Sequence, residues 1–343
     1  MPKTTDVFSN APPEPFMHMP PSAQIWQIAT SHLLPRCLHV VAELGIADRL
    51  GETPMTAMEL AQVSGIDADP LERTLRLLAV AGIFEARGNA WGHTQLSRVL
   101  RSDHPQSMRP FVRMIGGDLN WAAAGALAHT LRSGETAVTN IAPEGIWAYL
   151  QSHGDAARIF DAAMTAKSGV EIAALIPAID FTRYATIADI GGGRGHILAA
   201  ILAATPNAQG VLFDQPNVVA EVSPAPRMRV QGGDFFRDTL PPADAYIVGN
   251  VLHDWADAQA VAILRNVRRV APKHAEVLLL ESILPEGPEP HHAKVLDIVM
   301  LILTGGRERT RREYETLCAA SGFCLDRVVP TASPVSVIVA TPA

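Results

Sequence analysis

Thr186-Ile187-Ala188-Asp189-Ile190-Gly191-Gly192-Gly193-Arg194-Gly195-His196 is the stretch that decides how this chain is read. A short apolar run closes on an acidic residue, a glycine cluster follows, and an alanine- and leucine-rich segment takes over. That order predicts a parallel strand, a tight turn and a helix, the opening unit of a nucleotide-binding α/β sheet. Side chains in place of Gly191, Gly193 and Gly195 would disfavour the dihedrals of such a turn and hold a ligand away from the backbone. The spacing is not that of a phosphate loop, since no GxxxxGK followed by Ser or Thr is present.

Working outward, Asp214 ends the next strand candidate, 23 residues after Gly191. A carboxylate there can accept both hydroxyl hydrogens of a ribose. Glycine turn plus strand-end acid implies a nucleoside-bearing ligand and leaves NAD, FAD and S-adenosylmethionine open. Asp189 leans toward the last: a second carboxylate would repel a pyrophosphate, whereas a sulfonium cation meets no such objection. The third strand runs into Gly232-Gly233-Asp234-Phe235-Phe236. Asp234 can accept from an adenine amino group while Phe235 covers the ring, or the segment is an Asp turn followed by core aromatics.

After the fourth strand comes Gly249-Asn250-Val251-Leu252-His253-Asp254-Trp255. His253 lies beyond the strand end, on the side where open α/β sheets bind ligands, and an imidazole titrates near working pH. It is a candidate general base. Such a base needs an orienter, and Glu281, where the fifth strand ends, and Glu308, after Gly305-Gly306-Arg307, are the two candidates. Asp254 reads as a helix cap or a partner to the cofactor.

The strand candidates are 186–190, 210–214, 228–231, 245–248, 276–281, 325–329 and 335–340, with helical segments at 196–204, 217–222, 257–270 and 311–320. Residues 180–343 therefore read as an α/β domain, a mostly parallel Rossmann-like sheet with helices on both faces. The prolyl, acidic stretch 285–292 reads as a mobile loop before an apolar helix at 293–303.

Upstream, residues 1–22 read as a flexible tail, with Ser22 capping the first helix. Residues 24–50 are apolar enough that two helices are expected, part of their surface buried against another subunit. Thr56 and Glu59 form a capping box, a second helix spans 67–82, and 83–87 with 90–94 suggest a hairpin turning at Gly88-Asn89. Helices followed by a hairpin look like a winged helix, which makes DNA binding a rival. Arg73 and Arg76 are offset there by Asp67, Asp69 and Glu72, a poor grip for phosphate. Residues 23–106 are therefore read as a dimerisation scaffold. Residues 107–179 form a helical linker lining a substrate pocket, in which Phe160, Met164 and Ser168 recur four apart and share a helix face.

The chain has 343 residues and a formal net charge of -7, which gives no support to polyanion binding. Cys37, Cys318 and Cys324 have neither metal-ligand nor disulfide spacing, which suits a reducing cytoplasm. No secretory pattern or membrane-length apolar run is present. HExxH, GxSxG and CxxC are absent, the His291-His292 pair reads as surface, and no metal enters the chemistry.

The ordered set of motifs resembles the S-adenosylmethionine-dependent O-methyltransferases of the plant caffeate and flavonoid type and their bacterial natural-product relatives. The likeness covers nearly the whole chain, through Phe160-Asp161-Ala162-Ala163-Met164, the glycine turn, Gly232 to Phe236, Leu252-His253-Asp254-Trp255, Leu296-Asp297-Ile298-Val299-Met300 and Gly305-Gly306-Arg307-Glu308-Arg309-Thr310. It implies that Gly191 and Gly193 shape the methionine side of the cofactor pocket, Asp214 holds the ribose, and Asp234 with Phe235 cradles the adenine. Ser168, Asp189, Gly233, Asn250, Asp254 and Trp255 complete the cofactor's surroundings. His253 matches the base, and Glu281 and Glu308 the acids that bracket it. Trp26, Phe160, Met164, Asp297, Met300 and Leu303 match acceptor-lining positions, Trp26 reaching into the site of the second subunit of a homodimer.

The resemblance further implies in-line methyl transfer to a hydroxyl of a small aromatic molecule, without nucleic acid or membrane. Gly249 and Asn250 replace the lysine and tryptophan of plant members, and Leu303 their acceptor-binding asparagine, which points to a more apolar, bacterial-type acceptor. Two alternatives stay open: a cofactor-binding winged-helix regulator, and a relative that hydroxylates or decarboxylates.

Overall fold

The computed structural model describes residues 19–220, 222 and 225–343. These divide into two compact units: the described residues up to 125 together with 147–167, and 126–146 together with 168–343. The 107–179 stretch is thus shared between both. The expected tail lies mostly outside the described residues.

In the N-terminal unit, helices span Pro21–Thr30, Leu33–Glu43 and Ile46–Arg49, three where two were expected. Left-handed Gly45, φ +66°, separates the last two. Ser22 does not cap: it sits inside the first helix, which begins at Pro21 after Pro20 with no side-chain cap. Proline at the first helical position has a preset φ and no N–H to leave unsatisfied, so the helix starts there without a hydroxyl. The capping box at Thr56 is present, Thr56 accepting from the Glu59 N–H at 3.2 Å and the Glu59 carboxylate accepting from the Thr56 N–H at 2.8 Å. Strands β1 (Met55–Thr56), β2 (Phe84–Arg87) and β3 (Ala90–His93) form a small antiparallel sheet in the order β1-β3-β2. Its β2–β3 turn carries Gly88 at φ +67°. Trp26, 70% exposed, stands with exposed Ile25 and Ile28 on the first helix.

The C-terminal unit is built on a seven-stranded sheet. Its strands are β4 (Thr186–Ile190), β5 (Gln209–Asp214), β6 (Met228–Gly232), β7 (Ala245–Gly249), β8 (Glu276–Glu281), β9 (Phe323–Pro330) and β10 (Ser336–Pro342). The order is β6-β5-β4-β7-β8-β10-β9. The first five are parallel, and β10 runs antiparallel to both β8 and β9. The strands match the expected ones to within two residues at each end. The helix expected over 217–222 is the shorter Pro216–Val219, and Val222 lies outside it.

Period-2 alternation divides the core between the two faces of the sheet. Ala188, Ile190, Tyr246, Val248, Val277 and Leu279 enter one layer, and Ile187, Ala245, Ile247, Leu278 and Leu280 the other. Strand order reverses between β4 and β7, which opens a crevice at their carboxyl ends. Gly191, Asp214, Asn250 and Glu281 all fall at strand carboxyl ends.

The loop expected to be mobile before the helix His292–Leu303 is tied down. Lys294 Nζ donates to the carbonyls of Gly287 and Glu289 at 2.5 and 2.6 Å.

Candidate active site

The glycine turn follows from its own sterics. Gly191 and Gly193 adopt φ +72° and +58°, a region that L side chains rarely enter. A Cβ on Gly192 would overlap the Asp189 carboxyl and stand 2.6 Å from Leu212 Cδ1, so no larger residue fits there. At Gly193, by contrast, a Cβ would meet nothing within 4 Å, which leaves open space over the turn. Asp214 is aimed by its neighbours: Oδ2 accepts from the Gly193 N–H and Oδ1 from the Gln215 N–H, both at 2.7 Å.

Asp189 is buried, and its Oδ2 has no hydrogen-bond partner among the described residues. Burial first, and then the charge of Asp214, push its carboxyl up to about 7. A buried polar atom without a partner is costly unless something binds it. A cationic amino acid moiety bound over the turn would satisfy it.

The adenine-side residues take a mixed form. Asp234 Oδ1 accepts from the Phe236 N–H at 2.8 Å, so the Asp turn weighed for this segment is present. Phe235 lies edge-on to Phe236 and Trp255, with centroids 4.9 and 6.1 Å away. Gly233 has no room for a side chain, since a Cβ would stand 2.6 Å from the Phe213 ring. Asn250 holds a left-handed φ of +52°, and its Nδ2 donates to buried Glu171 at 2.9 Å. Ser168 is half-buried on the Gly154–Leu175 helix, three residues before Glu171.

His253 lies on the one-turn 3-10 helix Leu252–Asp254, just beyond β7. It is 6% exposed, and Glu281 and Glu308 are fully buried beside it. Nδ1 stands 2.8 Å from Glu308 Oε1 and 3.4 Å from Glu281 Oε2. A carboxylate only accepts, so in the neutral ring Nδ1 would carry the proton and Nε2 would be the nitrogen able to accept one. Asp254 Oδ1 is 3.9 Å from Nε2.

The two glutamates are held in different ways. Glu281 Oε1 accepts from the Val251 and Leu252 N–H groups at 3.2 and 2.8 Å. Glu308 receives its backbone support from Asp297, whose Oδ1 accepts the Glu308 N–H at 2.9 Å. The next helix, Arg311–Ser321, starts on a Thr310–Glu313 capping box that fixes where this loop ends. His253, Glu281 and Glu308 also form a set whose ligand atoms lie within 4.8 Å of one another.

Met300 and Leu303 are buried on the His292–Leu303 helix, three and six residues beyond Asp297. Trp26, Phe160 and Met164 belong to the N-terminal unit, where Phe160 packs edge-on against Trp147 at 5.9 Å.

Gly306 and Arg309, seen in the sequence only as members of a motif, and Glu171 had no role assigned to them. Arg309 is fully buried, and a Cβ on Gly306 would overlap the His253 carbonyl oxygen. Nothing in Arg307-Glu308-Arg309-Thr310-Arg311-Arg312 marks one arginine as buried, because no apolar period runs through it. Glu171 differs little from any solvent-facing helix glutamate until its partner is seen.

A tight glycine turn beside a buried carboxyl oxygen without a partner, an acid at the end of the next strand and a buried His–Glu couple lie together at the carboxyl ends of the strands. This is the site of a methyltransferase. The chain belongs to the O-methyltransferase family: residues 125–324 match the O-methyltransferase domain and residues 26–103 the O-methyltransferase dimerisation domain. It is 41% identical to the phenazine O-methyltransferase of Lysobacter antibioticus, over 94% of this chain and 97% of that protein. A calicheamicin-biosynthesis methyltransferase solved in its S-adenosylhomocysteine-bound form superposes with a TM-score of 0.86 at 36% identity, covering 94% of this chain and 98% of that one. A neocarzinostatin-biosynthesis O-methyltransferase, solved with S-adenosylmethionine and 2-hydroxy-5-methyl naphthoic acid, gives 0.76 at 30% identity over 90% and 96%.

The protein is an S-adenosylmethionine-dependent enzyme that methylates a hydroxyl of a small aromatic molecule, and it carries the family's dimerisation domain at its N-terminus. The regulatory alternative gives way to this assignment. Among the described residues no helix is long and apolar enough to cross a membrane.

Proposed function

We propose that the acceptor is a hydroxyl on a polycyclic aromatic of the phenazine or naphthoate kind, and that His253 removes its proton. The single observation carrying this reading is the buried His253–Glu308 couple, 2.8 Å apart beyond the β7 carboxyl end. The buried apolar side chains of Met300 and Leu303 and the named acceptors of the relatives favour a broad ring system over a hydroxycinnamate.

Asp189, Gly191, Gly193, Asp214 and Phe235 are the residues to hold the cofactor, with Ser168, Gly233, Asp234, Asn250, Asp254 and Trp255 around them. Bound S-adenosylmethionine supplies an electrophilic methyl carbon. A phenol is a weak nucleophile while protonated, with a pKa of about 10. His253 Nε2 takes that proton as the oxygen commits to attack, and Glu308 stabilises the imidazolium that results. Glu281, at 3.4 Å, adds negative charge on the same side of the ring. Asp297 holds the Glu308 backbone and so sets the distance to Nδ1.

Phe160 and Met164, with Trp26 of a second copy, are assigned to the aromatic body of the acceptor. The three cysteines are free thiols, as suits a protein working in the cytoplasm.

The test is incubation of the enzyme and S-adenosylmethionine with 1-hydroxyphenazine, 1,4-dihydroxy-2-naphthoic acid and caffeic acid. S-adenosylhomocysteine release, with a product heavier by one methylene from the first two, is expected. Preference for caffeic acid would reverse the acceptor assignment.

A further inference from the structure

The turn that carries the base is gripped from outside by three consecutive residues. The Arg307 N–H donates to the His253 carbonyl at 2.8 Å, and the Glu308 carboxylate takes the ring. Arg309 completes the grip: Nη1 donates to the Leu252 carbonyl at 2.9 Å and Nη2 to the Trp255 carbonyl at 2.8 Å, one on each side of His253. Its Nε also reaches Asp257 Oδ1 at 2.9 Å.

We propose that Arg309 is a positioning residue for methyl transfer, a buried brace that fixes the orientation of the His253 turn; this rests on His253 acting as the base. Three observations carry it. The guanidinium is fully buried, yet Asp257, the carboxylate it pairs with, has its side chain 64% exposed. An ion pair open to solvent contributes little and does not offset the desolvation of a cation. The carbonyls are what the buried position gains, Leu252 and Trp255 at close range and Arg307 at 3.4 Å, and a planar guanidinium fixes the direction of each bond where a rotating ammonium on a flexible stem does not. The brace also reaches the residues flanking the base on both sides, so its loss frees the turn to rotate without unseating Glu308 from Asp297.

The electrostatics agree with this role. Burial raises the phenol of Tyr314 most, Glu281 and Glu308 raise it further, and the Arg309 guanidinium lowers it. The base thus works in a cluster of two carboxylates and one fixed cation, to which protonation of His253 adds the second positive charge.

The test uses the full-length enzyme and its Arg309→Lys variant, each alone and combined with His253→Ala. S-adenosylhomocysteine release with 1-hydroxyphenazine gives kcat, calorimetry gives the cofactor Kd, and proton NMR follows the low-field Nδ1–H resonance of His253. Arg309→Lys is expected to lower kcat by roughly ten- to a hundred-fold, the scale of a misplaced catalytic group. It should leave the cofactor Kd within about two-fold, shift or broaden the Nδ1–H signal, and add nothing in the His253→Ala background. Equal losses in both backgrounds, or unchanged kcat and NMR signal, would overturn the proposal.

Should Arg309→Lys not fold, Asp257→Asn loosens the brace from its solvent end. A roughly two- to five-fold loss confined to the histidine-bearing background supports the proposal, and a loss in both overturns it. Near-normal turnover by His253→Ala alone would overturn the base assignment itself, a result distinct from any of these.

Discussion

Replacing Glu308 by glutamine separates the two glutamates that flank the base. Glu308 Oε1 lies 2.8 Å from His253 Nδ1, and neither group reaches bulk water. A buried hydrogen bond to a charged group is worth about 1.5–3 kcal/mol. The amide keeps the shape and an acceptor oxygen but loses the charge that opposes the nascent imidazolium. With about 1.36 kcal/mol per tenfold in rate, Glu308→Gln should lower kcat by roughly ten- to 150-fold. Glu281 is farther from Nδ1, at 3.4 Å, and its Oε1 is engaged by the Val251 and Leu252 N–H groups. Glu281→Gln retains an acceptor for those donors and loses only the longer-range charge, so its effect on kcat should be the smaller. The assay is rapid-quench single turnover with saturating cofactor, which reports the chemical step without product release. A larger loss for Glu281→Gln than for Glu308→Gln would refute the assignment of Glu308 as the main partner.

Further outcomes follow from the same geometry. The Asp189 carboxyl is raised to about 7 in the folded protein from an ordinary value near 4. Between those values the folded state holds a proton that the unfolded chain has released, so stability falls as pH rises through this window and levels off above it. Asp189→Asn removes that slope, and thermal melts of the ligand-free protein should show the variant gaining on wild type, by a few kcal/mol, from pH 5 to pH 8. A constant difference would contradict it. Trp26→Glu combined with Ile28→Glu places charge on the exposed apolar helix Pro21–Thr30 and should convert dimer to monomer in light scattering, with the wing sheet still folded. An intact dimer would remove that helix from the interface.

Much of the C-terminal unit was legible because its signals are local. Apolar runs that end in acids, and a glycine cluster that ends one of them, place β4, β5 and β8 without any knowledge of the neighbours. The antiparallel pairing of β10 between β8 and β9 is a tertiary choice, and short apolar runs read alike in either direction. Of the site, His253 and Glu281 were nominated from their positions at strand ends, and Glu308 from its place after Gly305-Gly306-Arg307. Their order of importance was not, since 2.8 Å against 3.4 Å is set by how Asp297 and the Val251–Leu252 amides seat the two carboxylates. Arg309 stayed hidden for a different reason. Buried arginine is defined by the carbonyls it meets, and those carbonyls lie more than fifty residues away in sequence. Ser22 misled because a serine before an apolar run looks like a cap, while Pro21 had already started the helix.

The account turns on a proton passing from acceptor oxygen to imidazole. Its most direct test is the single-turnover rate of His253→Ala with S-adenosylmethionine and 1-hydroxyphenazine, measured beside the cofactor Kd. General-base catalysis contributes typically 10²–10⁴-fold. The expected result is a rate lower by roughly a hundred-fold or more with Kd essentially that of wild type. A rate within a few-fold of wild type would mean that the imidazole takes no proton and that this mechanism is wrong.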